Sequence, residues 1–124
     1  GGGKRPMHTI IPGMLAEGGR VTMPFGVMGG SFQPCGHARL VTNLRDFGMD
    51  LQTAIDAPRC FADADGLRIE TGYDAGVRDQ LAALGHRLRL SDEPLGGAQA
   101  IILHPSGVLE AGSDPRKDGC ALGY

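Results

Sequence analysis

An α+β fold is predicted for this 124-residue chain from the way its apolar segments are spaced and punctuated. Strand-like and helix-like stretches alternate, but the connections between them are uneven. Two glycine-containing turns, Glu17-Gly18-Gly19 and Pro105-Ser106-Gly107, each join a pair of extended segments as hairpins. Regular strand-helix-strand units with long crossovers, which a doubly wound nucleotide-binding sheet requires, are missing.

The first hairpin is read from residues 8 to 15 (HTIIPGML) and 20 to 28 (RVTMPFGVM). Pro12 and Pro24 each lack an N–H for the ladder, so both are expected at a strand end, an edge or a bulge. Gly29-Gly30-Ser31 then breaks the second strand. Ala38, Val41, Leu44 and Phe47 recur at helical spacing, which predicts a helix over about 34–47 closed by Gly48. Asp50 is placed to cap a short helix through Leu51, Ala54 and Ile55 that ends before Pro58. Residues 67–71 alternate as a strand. Residues 74–84 start on a capping Asp and stop at Gly85 as a helix, and residues 86–91 alternate again. Residues 98–104 and 108–112 form the second hairpin, and an irregular, charged tail runs from Ser113 to Tyr124. This pattern is expected to make one domain over 1–124.

Twelve basic and fourteen acidic residues leave a formal charge of −2, without a block of like charge. Nucleic acid and anionic membrane surfaces are therefore excluded as partners. No apolar run reaches the length of a bilayer span, and Gly1-Gly2-Gly3-Lys4-Arg5 lacks the apolar core of a signal peptide. The cysteines, Cys35, Cys60 and Cys120, are odd in number and far apart, which predicts reduced structural thiols.

Chemistry has few candidates. Gly29 and Gly30 lie between a strand and a helix, where backbone N–H groups approach a ligand unhindered by a Cβ; an ordinary turn and an anion-binding concavity are both open. Arg59, Arg116 and Lys117 sit in proline-bearing loops. Each is suited either to a substrate carboxylate or to a carboxylate of the chain itself. Arg5 precedes Pro6 at the mouth of the first strand. His8, His37, His86 and His104 do not combine with the cysteines in a metal spacing, so no metal is expected. Asp63 and Asp65 begin like a calcium loop, but no glutamate follows at the required distance, and a solvated turn is expected. Ser31 lacks the context of a nucleophile.

Six motifs in order carry a resemblance: Pro6-Met7-His8-Thr9-Ile10-Ile11-Pro12, Gly29-Gly30-Ser31, Asp46-Phe47-Gly48-Met49-Asp50, Asp56-Ala57-Pro58-Arg59, Gly97-Ala98-Gln99-Ala100 and Asp114-Pro115-Arg116-Lys117-Asp118-Gly119. Together they resemble the C-terminal part of the small subunit of γ-glutamyltransferases, over essentially the whole chain.

The resemblance implies that the chain is part of a four-layer αββα sandwich of the N-terminal-nucleophile hydrolase class. In that class a precursor cleaves itself and exposes an N-terminal threonine whose own α-amino group acts as base. No threonine of that kind begins this chain, so a fragment, inactive when isolated, is expected. Its partners are then the remainder of the precursor, meaning the large subunit and the N-terminal part of the small subunit, together with a γ-glutamyl or other carboxylated acyl substrate. A sheet face deprived of its cover also predicts self-association. No cofactor is implied. A targeting signal would belong to the rest of the precursor, which leaves cytoplasm and periplasm both open.

By position, Gly29 and Gly30 match the family's oxyanion-hole glycines, with Ser31 beside them in the substrate pocket. Well-studied members of the family carry a serine pair just before the methionine that matches Met7, and those hydroxyls hold the glutamyl α-carboxylate. Here Arg5 and Pro6 stand in their place. That departure opens a second substrate reading, similar to the cephalosporin acylases, in which Arg5 holds a simple carboxylate. A noncatalytic structural or binding domain that kept the motifs is the third.

Overall fold

A tight turn starts the first sheet. Gly18 and Gly19 both have positive φ, 56° and 79°, the requirement of the two-residue turn that matches strand twist. It joins β1 (Pro12–Glu17) to β2 (Arg20–Met28) in antiparallel pairing. The register slips between Leu15 and Ala16, leaving Thr22 as an extra residue in β2. Both prolines fall where their missing N–H does least harm: Pro12 is the first residue of β1, and Pro24 precedes the stretch of β2 that pairs with its other neighbour. The computed structural model describes residues 1–7 and 9–124.

After β2 come a 3-10 turn (Gly30–Phe32), α1 (Gln33–Arg45) and α2 (Leu51–Asp56). The chain continues through β3 (Cys60–Asp63), β4 (Gly66–Ile69), α3 (Ala75–Ala83), β5 (Leu88–Leu90), β6 (Gly97–Leu103) and β7 (Leu109–Ser113). One sheet has the order β1-β2-β6-β7 and is antiparallel throughout. The other has the order β3-β4-β5, with β4 and β5 parallel.

Helices α1 and α2 pack on one face of the four-stranded sheet. Met23 and Val27 of β2, Ala98 and Ala100 of β6, Leu40 of α1 and Leu51, Ala54 and Ile55 of α2 are all buried there. Small residues set the spacing. A Cβ on Gly112 would lie 2.5 Å from Cδ1 of Ile55, and one on Gly36 would lie 2.6 Å from Cγ1 of Val27. Larger side chains at these two positions would push the helices off the sheet. Asn43, fully buried, donates from Nδ2 to the carbonyl of Ala54 at 3.1 Å and joins the two helices. At the β7 edge the Gln52 carboxamide donates to the Ser113 carbonyl and accepts from its N–H, standing in for a missing strand.

The opposite face of this sheet is uncovered. Met14, Val21, Met28, Ile101, Leu103 and Leu109 are exposed there. In the expected αββα stack the four-stranded sheet with α1 and α2 on it corresponds to one sheet layer and one helix layer, and its other face is apolar and open as a sheet-to-sheet contact requires.

Most elements lie where their local signals put them. Asp50 Oδ1 accepts from Thr53 N at 2.9 Å and Asp74 Oδ1 from Val77 N at 2.8 Å, so both caps form as expected. Several boundaries differ. The first strand begins at Pro12, because residues 9–11 pair with a side chain and not with a neighbouring strand; His8 lies outside the described residues. α1 ends at Arg45, and Phe47, expected on its buried face, is 63% exposed. Ala38 is exposed as well. β3 was not expected: its Cys60–Asp63 register against Gly66–Ile69 closes on a turn in which Asp65 N donates to Asp63 Oδ1. The tail is not wholly irregular, since Ser113 ends β7 and Asp114 is fully buried. Among the described residues no helix is long and apolar enough to cross a membrane.

Candidate functional site

β2 delivers the chain to Gly29 and Gly30, whose φ values of 136° and 59° are ones that side chains strongly disfavour. Gly29 has no room for a side chain either: a Cβ there would lie 3.1 Å from Cα of Gly96 and 3.3 Å from the Phe32 ring. Gly96 is equally confined, because a Cβ on it would come within 2.6 Å of the Met28 carbonyl. Gly29 and Gly96, one from each of two glycine pairs, Gly29-Gly30 and Gly96-Gly97, therefore pack backbone against backbone. The second pair became visible only in the fold; the sequence signal was a repeated Gly-Gly at the head of a strand.

The turn orients its peptides. Gly29 O accepts from Phe32 N at 3.1 Å, and Gly30 O accepts from the backbone N–H of Gln33. In a trans peptide the N–H points opposite to the carbonyl, so with these carbonyls drawn into the turn the N–H of Gly30 is directed out of it. Among the described residues neither Gly29 nor Gly30 donates in a turn or loop hydrogen bond. A cleft of about 540 Å³ opens at this point, lined by Thr9, Ile10, Ile11, Met28, Gly97 and Gln99 with both glycines. Free backbone donors beside an apolar, partly enclosed hollow can stabilise a developing oxyanion.

Gln33, absent from the sequence-based candidates, is buried at the base of this site at 6% exposure. Its Nε2 donates to Thr9 O at 2.7 Å and to Gly30 O at 3.2 Å, and its Oε1 accepts from Ile11 N at 3.1 Å.

Ser31 is adjacent and exposed. Arg5 is exposed too, but it does not line the cleft in this chain, so the fold brings together Gly29 and Gly30 and leaves Arg5 outside.

The other two candidate arginines are consumed by the protein. Arg59, 4% exposed, donates to Asp114 Oδ2 at 2.6 Å and to the carbonyls of Leu95 and Ile55. Arg116 pairs with Glu70 through two hydrogen bonds of 2.8 and 2.7 Å and also reaches Asp114. Neither is available for substrate. Lys117 lies with its stem across Gly97. Burial alone would raise the pKa of Asp114, but the N–H groups of Ala98 and Arg116 and the Arg59 guanidinium outweigh it and hold the carboxyl below its ordinary value. Glu70 follows the same pattern: burial is opposed by Arg116 and by the N–H groups of Leu95 and Arg59, with a net lowering. The network also serves the glycines, since Leu95 and Ala98, which it anchors, flank Gly96-Gly97.

Two of the histidines are otherwise engaged. His37 Nδ1 meets Gln33 O at 2.7 Å, and His104 Nε2 meets Glu110 at 2.8 Å. Among the described residues no group of three metal-ligating side chains occurs.

The sequence profile of the gamma-glutamyltranspeptidase family matches residues 1–124. The chain is 34% identical to the glutathione hydrolase-like YwrD proenzyme of Bacillus subtilis strain 168, over 97% of this chain and 25% of that protein. It is 37% identical to the oxamate amidohydrolase proenzyme of Klebsiella pneumoniae, over 98% of this chain and 25% of that protein. The chain thus spans about a quarter of the length of these curated relatives. Among solved structures, the cephalosporin acylase of Bacillus halodurans superposes with a TM-score of 0.85 at 36% identity, over 94% of this chain and 23% of that one.

Proposed function

Because this chain belongs to the gamma-glutamyltranspeptidase family, we propose that it supplies the oxyanion-stabilising part of an acyl-transfer site whose threonine nucleophile lies elsewhere in the same proenzyme. The observation that carries the reading is the Gly29-Gly30 turn: its carbonyls are drawn inward, its N–H groups enter no turn or loop hydrogen bond, and both residues line the cleft. The threonine hydroxyl attacks the acyl carbon, its proton passes to the α-amino group, and the amine leaves with a proton as an ester forms. Water or an acceptor amine then cleaves the ester. In both steps negative charge gathers on the former carbonyl oxygen, where Gly29 and Gly30 donate.

For the acyl group, a γ-glutamyl or other carboxylated donor is proposed, with Arg5 meeting the carboxylate and Ser31 bordering the pocket. Arg5 and Pro6, in place of a hydroxyl pair, favour a donor ending in a simple carboxylate. The likeness to an oxamate amidohydrolase and to a cephalosporin acylase supports that second substrate class. Arg5 is set outside the cleft in this chain, so its role requires the rest of the proenzyme to bring the carboxylate to it.

The test uses the complete, processed protein with a chromogenic γ-glutamyl anilide and with acyl anilides of similar length, carboxylated and uncharged. Gly29→Ala keeps the N–H but cannot hold φ 136° or fit beside Gly96, so by displacing the donors it should lower kcat on all of them, by as much as the roughly 10²–10³-fold that a lost oxyanion donor costs. Arg5→Ala should lower kcat/KM by about 10- to 100-fold on carboxylated donors alone, and Arg5→Lys should recover part of it. Equal losses on charged and uncharged donors make Arg5 structural. Turnover by the isolated 124-residue chain would move the nucleophile into it and end the proposal.

A further inference from the structure

Residues 9–11 have no strand partner, yet the Thr9 carbonyl and the Ile11 N–H are both satisfied by the side chain of Gln33. Its carboxamide offers a donor and an acceptor side by side, as a peptide group of a neighbouring strand would. The second N–H of the same amide goes to Gly30 O, which also accepts from the Gln33 backbone N–H. One buried side chain thus joins two walls of the cleft: the 9–11 segment, which follows Arg5 in sequence, and the turn that aims the glycine donors.

We propose that Gln33 is a positioning residue for acyl transfer, holding the Thr9–Ile11 wall and the Gly29-Gly30 turn at a fixed separation. The proposal rests on the acyl-transfer reading above. Its content is geometric. A substrate anchored near residues 5–11 must place its carbonyl carbon opposite the glycine N–H groups, and the Gln33 amide sets that span. Leucine at this position has nearly the same volume but none of the three hydrogen bonds. Glutamate keeps the acceptor for Ile11 N–H; as a carboxylate it loses both donors and faces two carbonyl oxygens, and when protonated it regains one donor.

The complete, processed enzyme is assayed as wild type, Gln33→Leu and Gln33→Glu with the same anilides, and amide hydrogen exchange is followed on the peptides covering residues 9–11. Gln33→Leu should speed exchange at the Ile11 amide by about tenfold or more. It should lower kcat/KM by about 10- to 100-fold through misplacement of the reacting groups, with part of the loss in kcat. For Gln33→Glu, kcat/KM relative to wild type should climb as the pH falls and the new carboxyl protonates, a response that a merely space-filling side chain would not produce. Unchanged exchange in Gln33→Leu overturns the proposal, as does faster exchange with unaltered kinetics. Should Gln33→Leu fail to fold, a pH-independent ratio for Gln33→Glu overturns it as well. A wild-type enzyme that turns over no acyl donor removes the acyl-transfer reading and this role together, whereas normal wild-type turnover with variants that match it removes the role alone.

Discussion

Replacing Asp114 with asparagine tests the buried network that anchors the Gly96-Gly97 segment. Asp114 has 0% exposure and its partner Arg59 has 4%, so neither charge has water to fall back on. Oδ2 accepts from Arg59 Nη2 at 2.6 Å and Ala98 N at 2.7 Å, and Oδ1 accepts from Arg116 N at 2.9 Å and Arg116 Nη1 at 3.2 Å. An asparagine offers one oxygen to these donors and turns its NH₂ against the others. It also leaves the Arg59 guanidinium buried beside no anion. Breaking a buried pair in this way costs about 3–5 kcal/mol. With a urea m-value of about 2 kcal/mol per M, the midpoint of equilibrium unfolding should fall by roughly 2 M. The control is Asp63→Asn. Asp63 pairs with Arg68 at 3.0 Å and Arg89 at 3.7 Å, where the side chains are 26–44% exposed. Pairs of that kind contribute about 1 kcal/mol or less, so its midpoint should move by about 0.5 M at most. Equal small shifts for both variants would refute the argument that burial sets the magnitude. In the double variant Arg59→Met, Asp114→Leu, recovery should be partial, because the charge is gone but the Ala98 and Arg116 N–H groups still lack an acceptor.

Three further outcomes follow from the packing and the charges. Asp114 and Glu70 have folded-state pKa values below their ordinary 3.8 and 4.5, so their stabilisation is complete above those ordinary values and is lost as the pH falls through the lowered ones. An unfolding series taken downward from pH 5 should show this loss, and Asp114→Asn should flatten it. Gly112→Val places atoms where Ile55 Cδ1 and Leu51 Cγ already lie, 2.5 and 3.0 Å from the added Cβ, and should lower stability by about 1–3 kcal/mol in a thermal melt. Met14→Lys with Leu109→Lys on the uncovered sheet face should reduce self-association and hydrophobic-dye binding of the isolated chain in light scattering and fluorescence; unchanged association would show that this face is not the sticky one.

What the sequence determined by itself is the set of features decided within a few residues. Gly18-Gly19, Gly48, Gly85 and Gly107 all take the positive φ that their turns and helix ends require. Asp50 and Asp74 cap the helices that follow them. These were legible because the competing hydrogen bonds and dihedral preferences lie along one short stretch of chain. The family was legible as well, since the order of the motifs survives without any knowledge of contacts.

Only the tertiary structure decided which distant residues meet. Arg59 and Arg116 were open to a substrate or to an internal carboxylate, and the choice fell to Asp114 and Glu70, 55 and 46 residues away along the chain. Gln33 reads as an ordinary first residue of a helix until the fold carries Thr9 and Ile11 beside it. Gly96 reads as a turn residue until the pairing of β2 with β6 brings it against Gly29 and the Met28 carbonyl. The physical reason is common to all of them. Sheet order and register choose which backbone groups are left without partners, and a buried polar side chain is placed by the need to satisfy those groups, which no local pattern records.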